Sequence, residues 1–292
     1  MTAMRIVSFA RATRHRAFTI VELLVAVSIL TLIVVVLYGL FDQVQRALRS
    51  NVAQVDVHEG GRAGMELMLR EMEQMQAGNA VTNVNLLTRF TALPSRQALL
   101  NAGEDRTNSL EEVYFLSLLN KHWIGTGYRV LALNANGIPV DFAKTGVGTL
   151  CRFSLSNHVA NFRSPSLYSR VMNVAPTNFA NYQRVIDGVV HFRTRAYDHN
   201  GFLITNNFDT NILSGVFVVT NAFNDNIEYA FTNKALPATL EIELGVLDPH
   251  ILERFRSYPT NTTATVVSSN YLARQAGAIH LFQQRVPIRM AK

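Results

Sequence analysis

Arg14-His15-Arg16-Ala17-Phe18-Thr19-Ile20-Val21-Glu22 leads straight into Leu23–Phe41, LLVAVSILTLIVVVLYGLF, nineteen residues without a charge. A helix needs about 20 apolar residues to cross the hydrocarbon core of a bilayer. Between Arg16 and Asp42 only Glu22 is charged, so the stretch reads as a membrane-spanning helix. A secretory signal peptide fits less well. The apolar run exceeds the roughly 7–15 residues of such a segment, and the following YGLFDQVQRALRS offers no A-x-A-like cleavage site. Arg5, Arg11, Arg14 and Arg16 precede the span with no acidic residue among them. That basic flank keeps the N-terminus cytoplasmic and sends the rest of the chain across the membrane. Glu22 is the anomaly. A carboxylate costs roughly 2.5–3.5 kcal/mol at the centre of a membrane helix, and less near an interface, where it can snorkel.

Composition narrows the classes. The chain has 292 residues, a span that fits one or two domains. Charged residues make up only 16%, far too few for a charged disordered chain. A single cysteine, Cys151, excludes an internal disulfide framework and a multi-cysteine zinc site. Of the formal charge of +6, four units come from the leader arginines. A second basic stretch follows Glu253, with Arg254, Arg256, Arg274, Arg285, Arg289 and Lys292 and no carboxylate. The middle is mildly acidic, so no face is built for phosphates and nucleic acid is not an expected partner. For the basic C-terminal stretch, ordinary solvation is the expectation, against contact with anionic head groups or an acidic partner.

The run from Arg14 to Ala26 closely resembles the processing signal of type IV pilins and type II secretion pseudopilins. In that family a basic leader precedes a small residue, Phe opens the mature chain, and Glu stands fifth. Counting Phe18 as one, Glu22 is five. The resemblance implies cleavage between Ala17 and Phe18 by a prepilin peptidase, and N-methylation of Phe18. Ala17 stands where the family usually has Gly; a small residue still suits a tight site, with slower processing as the possible cost. Cleavage would leave an α-ammonium on Phe18 at the edge of an apolar environment. In a filament, Glu22 of one subunit can then neutralise the amine of a neighbour. Low dielectric strengthens such a pair, either charge alone is costly, and the pair would set the axial register of an added subunit.

The helical pattern continues past the membrane. Leu37, Phe41, Val44, Leu48, Val52 and Val55 recur at steps of four and three, and Met65, Met68, Leu69, Met72 and Met75 repeat the pattern. The methionine stripe reads as core. Gly60, Gly61 and Gly64 each cost about 1 kcal/mol relative to Ala in a helix, so a bend or short break is expected at 60–64. The organisation is thus a cytoplasmic leader 1–17, an N-terminal helix 18–78 with its transmembrane part at 18–41, and an exported β-rich head 79–292.

In the head, short apolar runs alternate with Asn, Gly, Thr and Pro. Strands are expected at Val113–Leu119, Tyr128–Leu133, Thr149–Leu155, Val189–Tyr197, Gly215–Thr220, Leu240–Val246 and Ala278–Arg285. Asn206–Asn233, rich in Asn and Thr, is expected to contain a long irregular surface loop, and Asn85–Asn108 reads as another loop-like insert. No βαβ alternation appears, so the fold class is α+β: a pilin-like long N-terminal transmembrane helix packed on a mainly antiparallel sheet. Cys151 shares a face with Phe153 and Leu155 and reads as a buried apolar residue. Glu241 and Glu243 read as a solvated strand face.

Arg184-Val185-Ile186-Asp187-Gly188-Val189, then Tyr197-Asp198-His199-Asn200-Gly201, then Leu236-Pro237-Ala238-Thr239-Leu240 follow one another in an order similar to the minor pseudopilin J family. The closing Phe282–Arg289 resembles the end of a J-like subgroup, the Verru-Chthon cassette C type. The inserts make this chain longer than a typical J protein.

Catalytic patterns are sparse. None of the eight histidines falls in a metal-ligand motif. His191 and His199 flank a strand and a turn and read as structural. Asp198–Gly201 reads as a hairpin turn rather than a calcium loop, lacking a later bidentate Glu. There is no G-x-S-x-G, P-loop or dinucleotide fingerprint. The expectation is a non-enzymatic structural subunit without cofactor or metal: a J-like minor pseudopilin near the tip of a type II secretion pseudopilus. The partners so implied are the prepilin peptidase, the other minor and major pseudopilins and the inner-membrane assembly platform. A minor pilin of a type IV pilus is the close alternative; a membrane-anchored periplasmic enzyme or binding protein is the alternative of another class.

Overall fold

The protein is described here by a computed structural model covering residues 19–78, 83–91, 95–98, 105–134, 136–143, 146–159, 164–172, 181–205, 215–221, 226–257 and 271–289. It divides into two compact units, residues 1–52 and 53–292. Helix α1 spans Ile20–Met72. In the first unit its side chains from Ile20 to Val44 are almost all exposed, including Leu24, Ile33, Val36 and Phe41 at 49–62%.

In the second unit, residues 53–72 of α1 lie on one face of a ten-stranded sheet. The strands are β1 (Val84–Phe90), β4 (Glu111–Leu119), β5 (His122–Leu133), β6 (Pro139–Phe142), β7 (Gly148–His158), β8 (Gln183–Tyr197), β9 (Val216–Asn221), β10 (Asn226–Thr232), β11 (Thr239–Leu247) and β12 (Ile279–Pro287). The order is β12-β11-β8-β7-β5-β4-β1-β10-β9, with β6 beside β5, and every strand pair is antiparallel. A separate hairpin joins β2 (Ser95–Ala98) to β3 (Asp105–Asn108). The β4–β5 connection is a two-residue turn with Asn120 and Lys121 at φ 48° and 64°, the twist that a tight hairpin requires.

The core explains the methionine stripe. Met65, Met68, Met72 and Met75 are at most 2% exposed and meet Leu86, Val113, Phe115, Tyr128, Phe192 and Ile242. Each such side chain contributes about 1.5–3 kcal/mol on burial. The opposite face carries α2 (Ser164–Met172), whose Leu167, Val171 and Met172 cover Tyr114, Leu116 and Trp123. Gly127 on β5 makes room for it, since a Cβ there would lie 2.9 Å from Val171. Helix α3 (Pro249–Arg256) starts at Asp248, whose Oδ1 accepts the His250 amide at 2.9 Å.

Three expectations need correction. No break forms at 60–64; the helix runs through the glycines. The reason is packing: Phe282 of β12 sits where a Cβ on Gly61 would be, and Ile186 where one on Gly64 would be. The glycines serve close approach, and burial offsets their low propensity. Secondly, Asn85–Asn108 and Asn206–Asn233 are not plain loops. The first holds most of β1, which lies between β4 and β10, and the second holds β10 beside the expected strand β9, while residues 206–214 lie outside the described residues. Asn and Thr hide a real alternation there, because Ile227, Tyr229 and Phe231 are all buried. Thirdly, Glu241 and Glu243 are not solvated, at 2% and 7% exposure.

Candidate functional site

The head of α1 is built by a short sequence device. Thr19 and Glu22 form a capping box. Glu22 Oε2 accepts the Thr19 amide at 3.0 Å and its hydroxyl at 3.1 Å, and Thr19 Oγ1 accepts the Glu22 amide at 3.3 Å. Two amides orphaned at the helix start are thereby satisfied. The carboxylate also lies in the first turn, where the helix dipole favours negative charge. Glu22 is therefore held at the very end of the apolar helix. Ala17 and Phe18 lie outside the described residues. Beyond Glu22 the polar side chains serve the helix itself: Ser28 and Thr31 donate to the carbonyls of Leu24 and Val27, each at 2.8 Å. What remains outward is apolar, a surface far larger than soluble proteins expose without a partner.

In the head, charge is used for fastening. Glu71 binds Arg152 and Tyr128. Arg289 reaches Glu73 at 3.4 Å. Arg256 grips Asp187 at 2.7 and 2.8 Å, while Thr149 and the Gly188 amide donate to the same carboxylate. Burial pushes Asp187 up, but these donors outweigh it and hold its pKa below the ordinary value. Arg285 pairs with Glu241 at 2.5 Å, and Arg254 lies over Tyr271. Arg254, Arg256, Arg285 and Arg289 of the basic C-terminal stretch thus meet partners within the head while remaining exposed to solvent.

Around Glu243 lie Arg193 at 2.6 Å and His191 Nε2 at 3.3 Å. Burial raises the Glu243 carboxyl, yet His191, Arg193 and Arg195 together pull it down to about 2. His191 Nδ1 accepts the backbone amide of Ser109 at 3.2 Å. That assigns the proton to Nε2 and aims it at Glu243. The trio superficially resembles a catalytic triad, but the imidazole engages the serine amide and not its hydroxyl. Ser109, His191 and Glu243 are buried. His199 is exposed in a turn closed by Asp198, whose Oδ1 accepts the amides of Asn200 and Phe202 at 2.9 and 2.8 Å. Cys151 is fully buried, and burial pushes its thiol up to about 12.

Sequence reasoning missed Glu111, Glu112 and Arg129. Consecutive on β4, the two acids point to opposite faces. Glu112 pairs with Arg129 at 2.6 Å, both at 0% exposure. Glu111 faces the core, accepts the Thr194 amide at 2.7 Å, and is raised well above the ordinary value by burial. A double glutamate before a strand carries no signal of burial on its own.

A groove of about 700 Å³ runs between residues 62–73 of α1 and Leu281–Gln284 of β12. Its floor is Met65, Leu69 and Phe282, and Arg62, Glu66 and Glu73 stand among its lining. Among the described residues no group of three or more His, Cys, Asp or Glu side chains lies close enough to share a metal ion.

Residues 12–38 match the family model described as the prokaryotic N-terminal methylation motif. The chain carries a type IV pilin-like signal. The match spans the Ala17–Phe18 junction and Glu22, and runs into the exposed apolar face of α1. No curated protein and no solved structure matches the chain. The long apolar helix followed by an antiparallel sheet is the α+β arrangement of a pilin-like fold. The motif indicates the type IV pilin or pseudopilin class. It implies processing by a prepilin peptidase and assembly with pilin-like subunits. The helix is long and apolar enough to cross a membrane, which suggests anchoring there.

Proposed function

We propose that this protein is a minor pseudopilin, a non-enzymatic structural subunit near the tip of a type II secretion pseudopilus, where it aids filament initiation. In this reading it inserts once in the bacterial inner membrane, N-terminus cytoplasmic and head periplasmic. Cleavage between Ala17 and Phe18 and methylation of Phe18 precede assembly. The apolar face of residues 20–44 then packs against the helices of other minor pseudopilins and the major pseudopilin, on the inner-membrane assembly platform. The observation that carries the reading is the methylation motif running into an unbroken helix with an apolar first part, whose first-turn carboxylate, Glu22, is held in place. The J-like order of motifs from Arg184 to Leu240 supports the pseudopilin over a pilus subunit.

Two measurements test it. Intact mass and N-terminal sequencing, with and without an active prepilin peptidase, should give methylated Phe18 only in the first case. Met1 in both samples overturns the reading. Deleting the gene in its host should abolish export of secreted proteins while leaving surface pili intact; the reverse pattern assigns the subunit to a type IV pilus.

A further inference from the structure

We propose that His122 and His158 form a two-imidazole binding site for a late first-row divalent cation such as Zn2+. The two residues are direct partners in the β5–β7 register, at its outer end. The next pair outward is hydrogen-bonded, with the Val159 amide donating to the Lys121 carbonyl at 3.0 Å. Antiparallel pairs alternate, so His122 and His158 occupy a non-hydrogen-bonded pair, the kind in which Cα atoms approach to about 4.5 Å and side chains come closest. Their ring centroids are 5.1 Å apart with planes at 84°. Two imidazoles binding one tetrahedral ion through nitrogens at about 2.0–2.1 Å hold their centroids about 5 Å apart. The ring spacing that such a chelate needs is thus already present in the fold, with rotation of the exposed rings aiming their nitrogens at the ion.

Rigidity adds to the case. The β5–β7 ladder continues through ten consecutive partners, from His122↔His158 to Leu131↔Thr149. The tight Asn120–Lys121 turn fixes the start of β5, and buried Trp123 anchors the next position. Both histidines are exposed, so an ion reaches them without opening the fold. Imidazole nitrogen favours zinc, copper and nickel over magnesium or calcium. Two protein ligands leave two tetrahedral positions for water or for a ligand from a partner.

The test is calorimetric titration of the full detergent-solubilised chain with Zn2+, alongside its melting temperature. One site should fill, reversed by a chelator. His122→Ala and His158→Ala should each weaken it at least about tenfold, since even supporting groups around a metal ligand cost 10–100-fold. His199→Ala, exposed on another turn, should bind as the wild type does. Unchanged melting of the variants without zinc establishes that they fold. Binding that survives both substitutions overturns the proposal. So does binding lost instead in His58→Ala, whose ring packs on His280 at 4.6 Å, or no uptake at all.

Discussion

The Glu71 carboxylate, in the last turn of α1, holds the Arg152 guanidinium of β7 side-on. Arg152 Nε lies 2.9 and 3.0 Å from its two oxygens and Nη2 lies 2.6 Å away. An acid at the C-terminal end of a helix opposes the helix dipole. Here Arg152 and Tyr128 supply the compensation. Both charges are about one-fifth exposed, which places the pair between a solvent-screened surface bridge and a fully buried one. Glu71→Ala should therefore destabilise the head by about 1–3 kcal/mol. A double-mutant cycle with Arg152→Ala, read by urea unfolding, should return a coupling that exceeds that of Glu66 and Arg70, an exposed i,i+4 pair on α1 at 3.9 Å.

Neighbouring glycines on α1 should respond in opposite directions. A Cβ on Gly60 meets open space, so Gly60→Ala should stabilise by about 0.5–1 kcal/mol. A Cβ on Gly61 collides with the ring of Phe282. Overpacking costs about 1–3 kcal/mol, more than the helix propensity returns, so Gly61→Ala should lower the melting temperature. Equal shifts for the two variants would contradict the packing account of the unbroken helix.

At the N-terminus, charge and capping can be separated. Glu22→Gln keeps an acceptor for the Thr19 amide but loses the charge; Thr19→Val loses the hydroxyl and keeps the charge. If Glu22 pairs with a neighbour's amine, Glu22→Gln should insert and be cleaved normally yet fail to enter filaments. Thr19→Val should enter them. Cross-linking of membrane fractions reads the outcome, and normal assembly of Glu22→Gln would remove the pairing role.

Two buried glutamates give stability opposite pH slopes. Glu243 is held at about 2, below its unfolded value. Its contribution is present above about pH 4.5 and is lost as pH falls through about 2. Glu111 is raised by burial. Its contribution is complete below its unfolded value and is lost as pH rises through the raised one. Glu111→Gln should flatten the alkaline limb of a stability–pH curve, and Glu243→Gln the acidic limb.

Much of the organisation was legible in the chain. The basic leader with Glu22 fifth from Phe18, the nineteen uncharged residues after it and the methionine period are local patterns, and the helix formed over the apolar run and most of the methionine stripe, ending at Met72 rather than at 78. The seven expected strands lie inside or within a residue of observed ones, although β5 begins at His122 rather than Tyr128 and β8 at Gln183 rather than Val189. The missed strands are β1, β2, β3, β6 and β10. Asn85 and Thr88 interrupt the apolar pattern of β1, Asn226 and Thr232 bound β10, and the places of these two between other strands make them strands.

The sequence by itself determined the long apolar helix, the pilin-like signal at its start and the β-rich class of the head, because each follows from composition and period within a short window. Tertiary structure alone decided the rest: that Gly61 is a seat for Phe282, that Glu111, Glu241 and Glu243 are buried, and that His122 faces His158. Those outcomes depend on what lies across the sheet, often more than 30 residues away in the chain. A glutamate's solvation or a glycine's cost is set by that neighbour, which no local pattern encodes.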